Sequence, residues 1–296
     1  EIFDKTGTRL AGPVAINTLW QGFGGNCATH NSGDPDVRYD ALADRWVVMQ
    51  FTLTRDPLTS RTDFCIAVSR TPDPVAGGWF LYDFPTGGIS NDYPKLGVWP
   101  DAYYLGSQRG SSDAWAVDRA QMLAGAPATM QGFNDPGAFM LPSDIDGSTP
   151  PPAGAPNVFA RMIDGSPDRI ELRAFHVDFA VPANSTFTAL PDLPTDPFDS
   201  TLGSVPQPGT PMALETLSGW PMARLQYRNF GGYETLVFNH QVDADGADHV
   251  GVRWYELRRN GGTWSIFQQA THAPDGASPG LADDPNRWFA SAAMDR

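Results

Sequence analysis

The chain has 296 residues, 41% hydrophobic, 11% aromatic and only 18% charged, with a formal net charge of −14. That charge repels nucleic acid and anionic membrane surfaces, and no run of 18 apolar residues offers a membrane-spanning helix. Thirty glycines and 27 prolines, with lysine only at Lys5 and Lys95, do not suit a helical bundle.

In chain order, Glu1–Gly7 reads as strand, turn and strand. The chain opens without a methionine and closes at Arg296 in what reads as a strand entering a turn, so we expect a piece of a longer protein. Val37–Asp40 should pair with Arg45–Phe51, and Phe64–Ser69 with Trp79–Phe84. Lys95–Trp99 should meet Ala102–Gly106 across Pro100-Asp101. The best helical stretch is Asp118–Gly125, about two turns closed by a glycine. Val158–Ile163 and Arg169–Val177 follow as strands. Ala223–Arg228 should then pair with Tyr233–His240 over Asn229-Phe230-Gly231-Gly232, and Val250–Arg258 with Thr263–Gln269 over Arg259-Asn260-Gly261-Gly262. Glycines there supply the positive φ angles of tight hairpins. Asn134–Asn157 and Pro191–Pro211, rich in Pro, Gly and Asp, read as long loops.

Strand groups begin near Asp34, Asp92, Val158 and Met222, with another starting near Arg287. The interval is roughly 55–65 residues and holds about four strands, the pattern of a β-propeller built of four-stranded antiparallel blades. A β-sandwich is the alternative, with a core of about 100 residues that fits this spacing less well. The expected fold is therefore all-β, one incomplete propeller domain over 1–296, cut at one or both ends.

Three stretches carry a resemblance. Gly33–Asp40 with Asp44-Arg45-Trp46, Asp92–Trp99 and Gly251–Leu257 together resemble large secreted, mostly uncharacterised microbial proteins with a sialidase-like or BNR-type propeller. The resemblance runs from Trp20 onward and implies a secreted or cell-surface protein. Members usually continue past the Met-Asp turn with another strand, and Ser278–Pro285 stands as an insertion relative to them. The sialidase motif Ser-x-Asp-x-Gly-x-Thr-Trp is absent, since Gly261–Trp264 matches only its tail. Neither sialidase activity nor any catalytic residue carries over.

The two cysteines, Cys27 in a Gly/Asn loop and Cys65 in an apolar strand, suit a disulfide on a lysine-poor secreted surface; two unpaired thiols are the alternative. In a propeller the first strand of each blade lines the channel, so the residues that begin those strands converge. They are Asp34 and Asp36, Asp92 and Lys95, Arg224, and Arg287. Such a ring could bind a polar ligand, arginine pairing bidentately with the carboxylates of acidic sugars. Equally, the charges could neutralise one another between blades, with Asp34 and Asp36 capping a turn. Asp34, Asp36, Asp92, Glu234 and Glu256 are the candidates for a pair of glycosidase carboxyls. Asp243, Asp245 and Asp248 cluster acids in a turn that could take calcium or be a plain acidic hairpin; the EF-hand register fails because its twelfth position is Trp254. His240 and His176 end strands beside an Asp and read first as hydrogen-bonded structural groups. Trp20, Trp99, Tyr103, Tyr104, Trp220 and Trp288 could stack on sugars or fill core.

These features point to an extracellular propeller that binds a glycan or other extracellular polymer, with calcium as a supporting ion. The rivals are a polysaccharide hydrolase or lyase working at the central channel, and a structural protein of a cell-surface array or filament that contacts other chains.

Overall fold

The computed structural model describes residues 1–54, 61–87, 91–108, 113–134, 139–273 and 285–295. The fold is all-β, as expected. Contacts divide the chain into two compact units, Glu1–Ala138 with Val177–Ser185, and Phe139–His176 with Thr186–Arg296.

The first unit opens with a hairpin of β1 (Ile2–Phe3) and β2 (Arg9–Ala11), a 3-10 turn at Ile16–Trp20 and α1 (Gly25–Thr29). Two four-stranded meanders follow. One runs β3 (Gly33–Asp40), β4 (Arg45–Thr54), β5 (Arg61–Ser69), β6 (Trp79–Pro85); the other runs β7 (Asp92–Val98), β8 (Ala102–Gln108), β9 (Ala114–Asp118), β10 (Met130–Phe133). Between β9 and β10 lies α2 (Arg119–Ala124). Its ends are those the sequence marks: the Asp118 carboxylate accepts from the Gln121 amide, and Gly125 closes it in the left-handed conformation at φ 68°. The expected hairpin partners of both meanders are found in register.

One face of the first meander packs on the second. Val47, Met49, Phe64, Ile66 and Val68 meet Leu96, Val98, Tyr103, Leu105 and Val117, all nearly or fully buried. Asp40 pins this core. Fully buried, it accepts from the Tyr103 hydroxyl at 2.9 Å and from Arg119 Nε at 2.6 Å and Nη2 at 3.0 Å. The other face is covered by the N-terminal segment. Cys27 and Cys65 form a disulfide there, and Trp20 and Ala67 bury beside it. The disulfide pairing is therefore correct, while the loop expected around Cys27 is a short helix.

The second unit holds β11 (Leu141–Ile145), β12 (Asn157–Ile163), β13 (Arg169–His176), β14 (Thr186–Ala189) and β15 (Leu193–Pro194). A small hairpin of β16 (Ser204–Val205) and β17 (Leu214–Glu215) precedes β18 (Met222–Asn229), β19 (Glu234–Asp243), β20 (Val250–Arg259) and β21 (Ser265–His272). Here the structure departs from separate blades. β11 pairs in parallel with β18, Ser143 opposite Leu225, and joins the two strand groups into one nine-stranded sheet. β11 leaves its antiparallel partner β12 after Leu141 and Pro142. The Asn157 side chain then takes over the ladder, accepting from the Ser143 amide at 3.0 Å and donating to the Ser143 carbonyl at 2.9 Å.

Two expectations are corrected. The third strand group begins at Leu141 inside the segment 134–157 read as loop, because the Pro-rich composition masks the strand Leu141–Ile145. No strand forms from Arg287 among the described residues. Residues 285–295 instead lie across the sheet, the Gln226 side chain donating to the Ala292 carbonyl and accepting from the Met294 amide.

Candidate ligand-binding site

Asp34, Asp36, Asp92, Lys95 and Arg224 lie on strands, whereas Arg287 does not. In the first unit, β3 and β7 lie side by side, and each has one extra residue against its partner strand, between Gly33 and Asp36 and between Asp92 and Lys95. The cause is shared: Pro35 and Pro94 cannot donate to the ladder, and the preceding Asp34 and Tyr93 sit at φ 46° and 53°. Asp34, Asp36 and Asp92 thus act together on Lys95. Burial lowers the Lys95 pKa, and the three carboxylates oppose it. Its ammonium lies 3.7 Å from the Tyr93 ring centroid and donates to the Pro94 carbonyl. Asp36 is mostly spent on structure: one oxygen takes the Leu96 amide at 3.0 Å, the other the Arg38 guanidinium at 2.6 Å.

Arg224 belongs to the second unit. It clamps Asp144 and Asp146, each at 2.6 Å. Arg287 lies in the same unit but by β20, its backbone amide donating to Val250 and its side chain to the Pro285 carbonyl. Within its unit, each of these arginines satisfies neighbouring chain atoms.

The glycosidase candidates in the second unit are likewise engaged. Glu234 accepts from Arg259 at 2.7 and 2.8 Å and from the Tyr227 hydroxyl at 2.6 Å. Burial raises its pKa, but these donors outweigh it and hold the group below its ordinary value. Glu256 accepts from Arg258 at 2.5 Å and from Gln268 at 2.6 Å. His240 is fully buried, receives the Tyr255 hydroxyl at 3.0 Å, and faces the Gln241 carbonyl through Nδ1 at 3.1 Å. Burial brings its pKa down to about 3, so the ring is neutral.

In the acidic turn, Asp243 accepts the backbone amides of Asp245, Gly246 and Asp248, and Asp245 accepts that of Ala247. The carboxylates close the turn on its own amides. Among the described residues, no group of three His, Cys, Asp or Glu side chains is arranged to hold a metal ion.

Among the aromatics singled out from sequence, Trp20, Trp99, Tyr103 and Tyr104 are core, at most 1% exposed. Trp220 is half-buried against Phe139, and Trp288 is half-buried in the segment 285–295.

Two further half-buried tryptophans are Trp46 and Trp79. Together with Phe3 and Leu10 of the N-terminal hairpin, Val37, and the Asp73-Pro74 turn, they line a cavity of about 330 Å³ in the first unit. Trp46 stands in β4 with Tyr39 beside it, ring centroids 5.2 Å apart. Trp79 begins β6, and its indole donates to the Pro74 carbonyl at 3.1 Å, which fixes the ring. Asp73 caps the turn by accepting the Val75 and Ala76 amides. Two wider hollows, about 610 and 750 Å³, flank Phe230 in the second unit, and neither is lined by a tryptophan.

Compared with protein-family models, with curated proteins and with solved structures, the chain matches none.

Proposed function

We propose that the chain is part of a secreted β-propeller that binds a glycan, and that the sugar enters the cavity walled by Trp46 and Trp79. One observation carries the reading: two half-buried indoles, one fixed by its hydrogen bond to Pro74, open onto a cavity large enough for a sugar ring. The electron-rich face of an indole attracts the weakly positive C–H face of a sugar. Glu1 and Asp73 on the same lining supply acceptors for hydroxyls. The propeller architecture is supported by the four-stranded meanders and by their neighbouring first strands, β3 beside β7 and β11 beside β18. The disulfide suits an oxidising compartment. Binding rather than hydrolysis is favoured because Glu234 and Glu256 are both committed to arginines.

A polysaccharide panel read by tryptophan fluorescence and calorimetry tests this. At least one polymer should quench the fluorescence of the full chain, and Trp46→Ala and Trp79→Ala should each weaken binding about tenfold or more, equivalent to about 1.4 kcal/mol. Silence across the panel, or unchanged affinity in both variants, would overturn the reading.

A further inference from the structure

At the far end of the face that carries Trp46, the same N-terminal segment covers a different chemistry. Side chains alternate along a strand, so Gln50 and Thr52 of β4, Asp63 of β5 and Asp83 of β6 share that face; Thr52 is directly opposite Asp63, and Asp83 opposite Cys65. α1 lies above them. Asn26 donates to Asp63 Oδ2 at 2.6 Å, Gln50 donates to the His30 carbonyl, and a Cβ on Gly25 would stand 3.1 Å from Asp83 Oδ2.

Gln50, Thr52 and Asp63 are 0% exposed. Among the described residues, four buried oxygens here have no hydrogen-bond partner: Gln50 Oε1, Thr52 Oγ1, Asp63 Oδ1 and Asp83 Oδ1. Three of these can only accept a hydrogen bond when the carboxyls are ionised. Burying such groups unmet is costly, so the fold has reason to supply a partner. The nearby cation is Arg61, 2.8 Å from Asp63 Oδ2 and 3.9 Å from Asp83 Oδ2, so two carboxylates face one guanidinium. A single water offers two hydrogens, too few for three acceptors. A hard cation accepts oxygen from carboxylate, amide and hydroxyl alike.

We propose that Asp63, Asp83, Gln50 and Thr52 form a calcium site beneath α1, separate from the acidic turn at Asp243 and independent of the glycan reading. The Cys27–Cys65 disulfide holds the helix over it.

The test titrates CaCl2 into the chelator-treated full chain by calorimetry, with thermal unfolding in parallel. We expect one ion bound per chain and a rise in Tm of at least about 3 °C at 100-fold excess over Kd. Asp83→Asn should abolish both effects, and Thr52→Val, which keeps shape and removes one oxygen, should weaken binding about tenfold. Asp243→Asn should bind as the wild type does. Should Asp83→Asn fail to fold, Thr52→Val decides alone. No heat and no Tm shift in the wild type, or full binding in the pocket variants with loss in Asp243→Asn, would overturn the assignment.

Discussion

At the scale of single residues, His240 ties stability to pH. Its folded pKa, about 3, lies below the ordinary 6.5 because burial excludes the charged ring. Between those values the unfolded chain binds the extra proton, so stability is full above pH 6.5 and is lost as pH falls toward 3. Urea unfolding at pH 7 and pH 5 should show a lower midpoint at pH 5, and His240→Gln should flatten that difference. An equal slope in the variant would refute the assignment. The carboxylates of Glu171 and Glu234, held low by arginines that outweigh burial, add acid sensitivity only below their ordinary 4.5. The sequence already pointed to a hydrogen-bonded, structural His240. It could not point to Trp46 and Trp79 as accessible, because β5 between their strands is buried at every position after Arg61, so alternation does not betray which face is open. Likewise, the first-strand charges were readable from spacing, but their partners were not. Arg38, two residues past Asp36, and Asp146, within the misread loop, are fixed by tertiary contact.

At the scale of elements, the strand exchange in the second unit turns on Asn157. Its amide is both donor and acceptor for the Ser143 backbone, replacing two ladder bonds where β11 turns from β12 to β18. Asn157→Ala leaves a buried N–H and C=O unmet, with an expected loss of roughly 2–4 kcal/mol in chemical denaturation. A loss under about 0.5 kcal/mol would mean that the backbone re-pairs without it. Hairpins were legible because their turns carry Gly and Asn at the needed positions; α2 was legible from its Asp118 and Gly125 ends. β11 was not legible, since Pro142 and the prolines after it outweigh a five-residue strand. The strand expected to start near Arg287 does not form: the segment 285–295 is seated by the Gln226 side chain and by a single backbone bond from Arg287 to Val250, too few for a ladder.

At the scale of the whole molecule, the all-β class is what the sequence conveyed best; the first unit holds two separate four-stranded meanders, whereas the second is built on one nine-stranded sheet. What spacing could not convey is that one pair of meanders fuses edge to edge through a parallel step. Nor could it convey that the first 31 residues serve as a cover for the outer face of the first meander. The cover's anchor closes a loop of 38 residues. By chain entropy such a link is worth about 4 kcal/mol, so the Cys27→Ala, Cys65→Ala double variant should unfold at clearly lower denaturant. Unchanged stability would show that packing around Trp20 suffices.

Because that one covalent link sits between the tryptophan cavity and the oxygen-lined pocket, a reducing environment would loosen the ceiling of both together. The proposed sugar and calcium sites would then weaken together on reduction of that link.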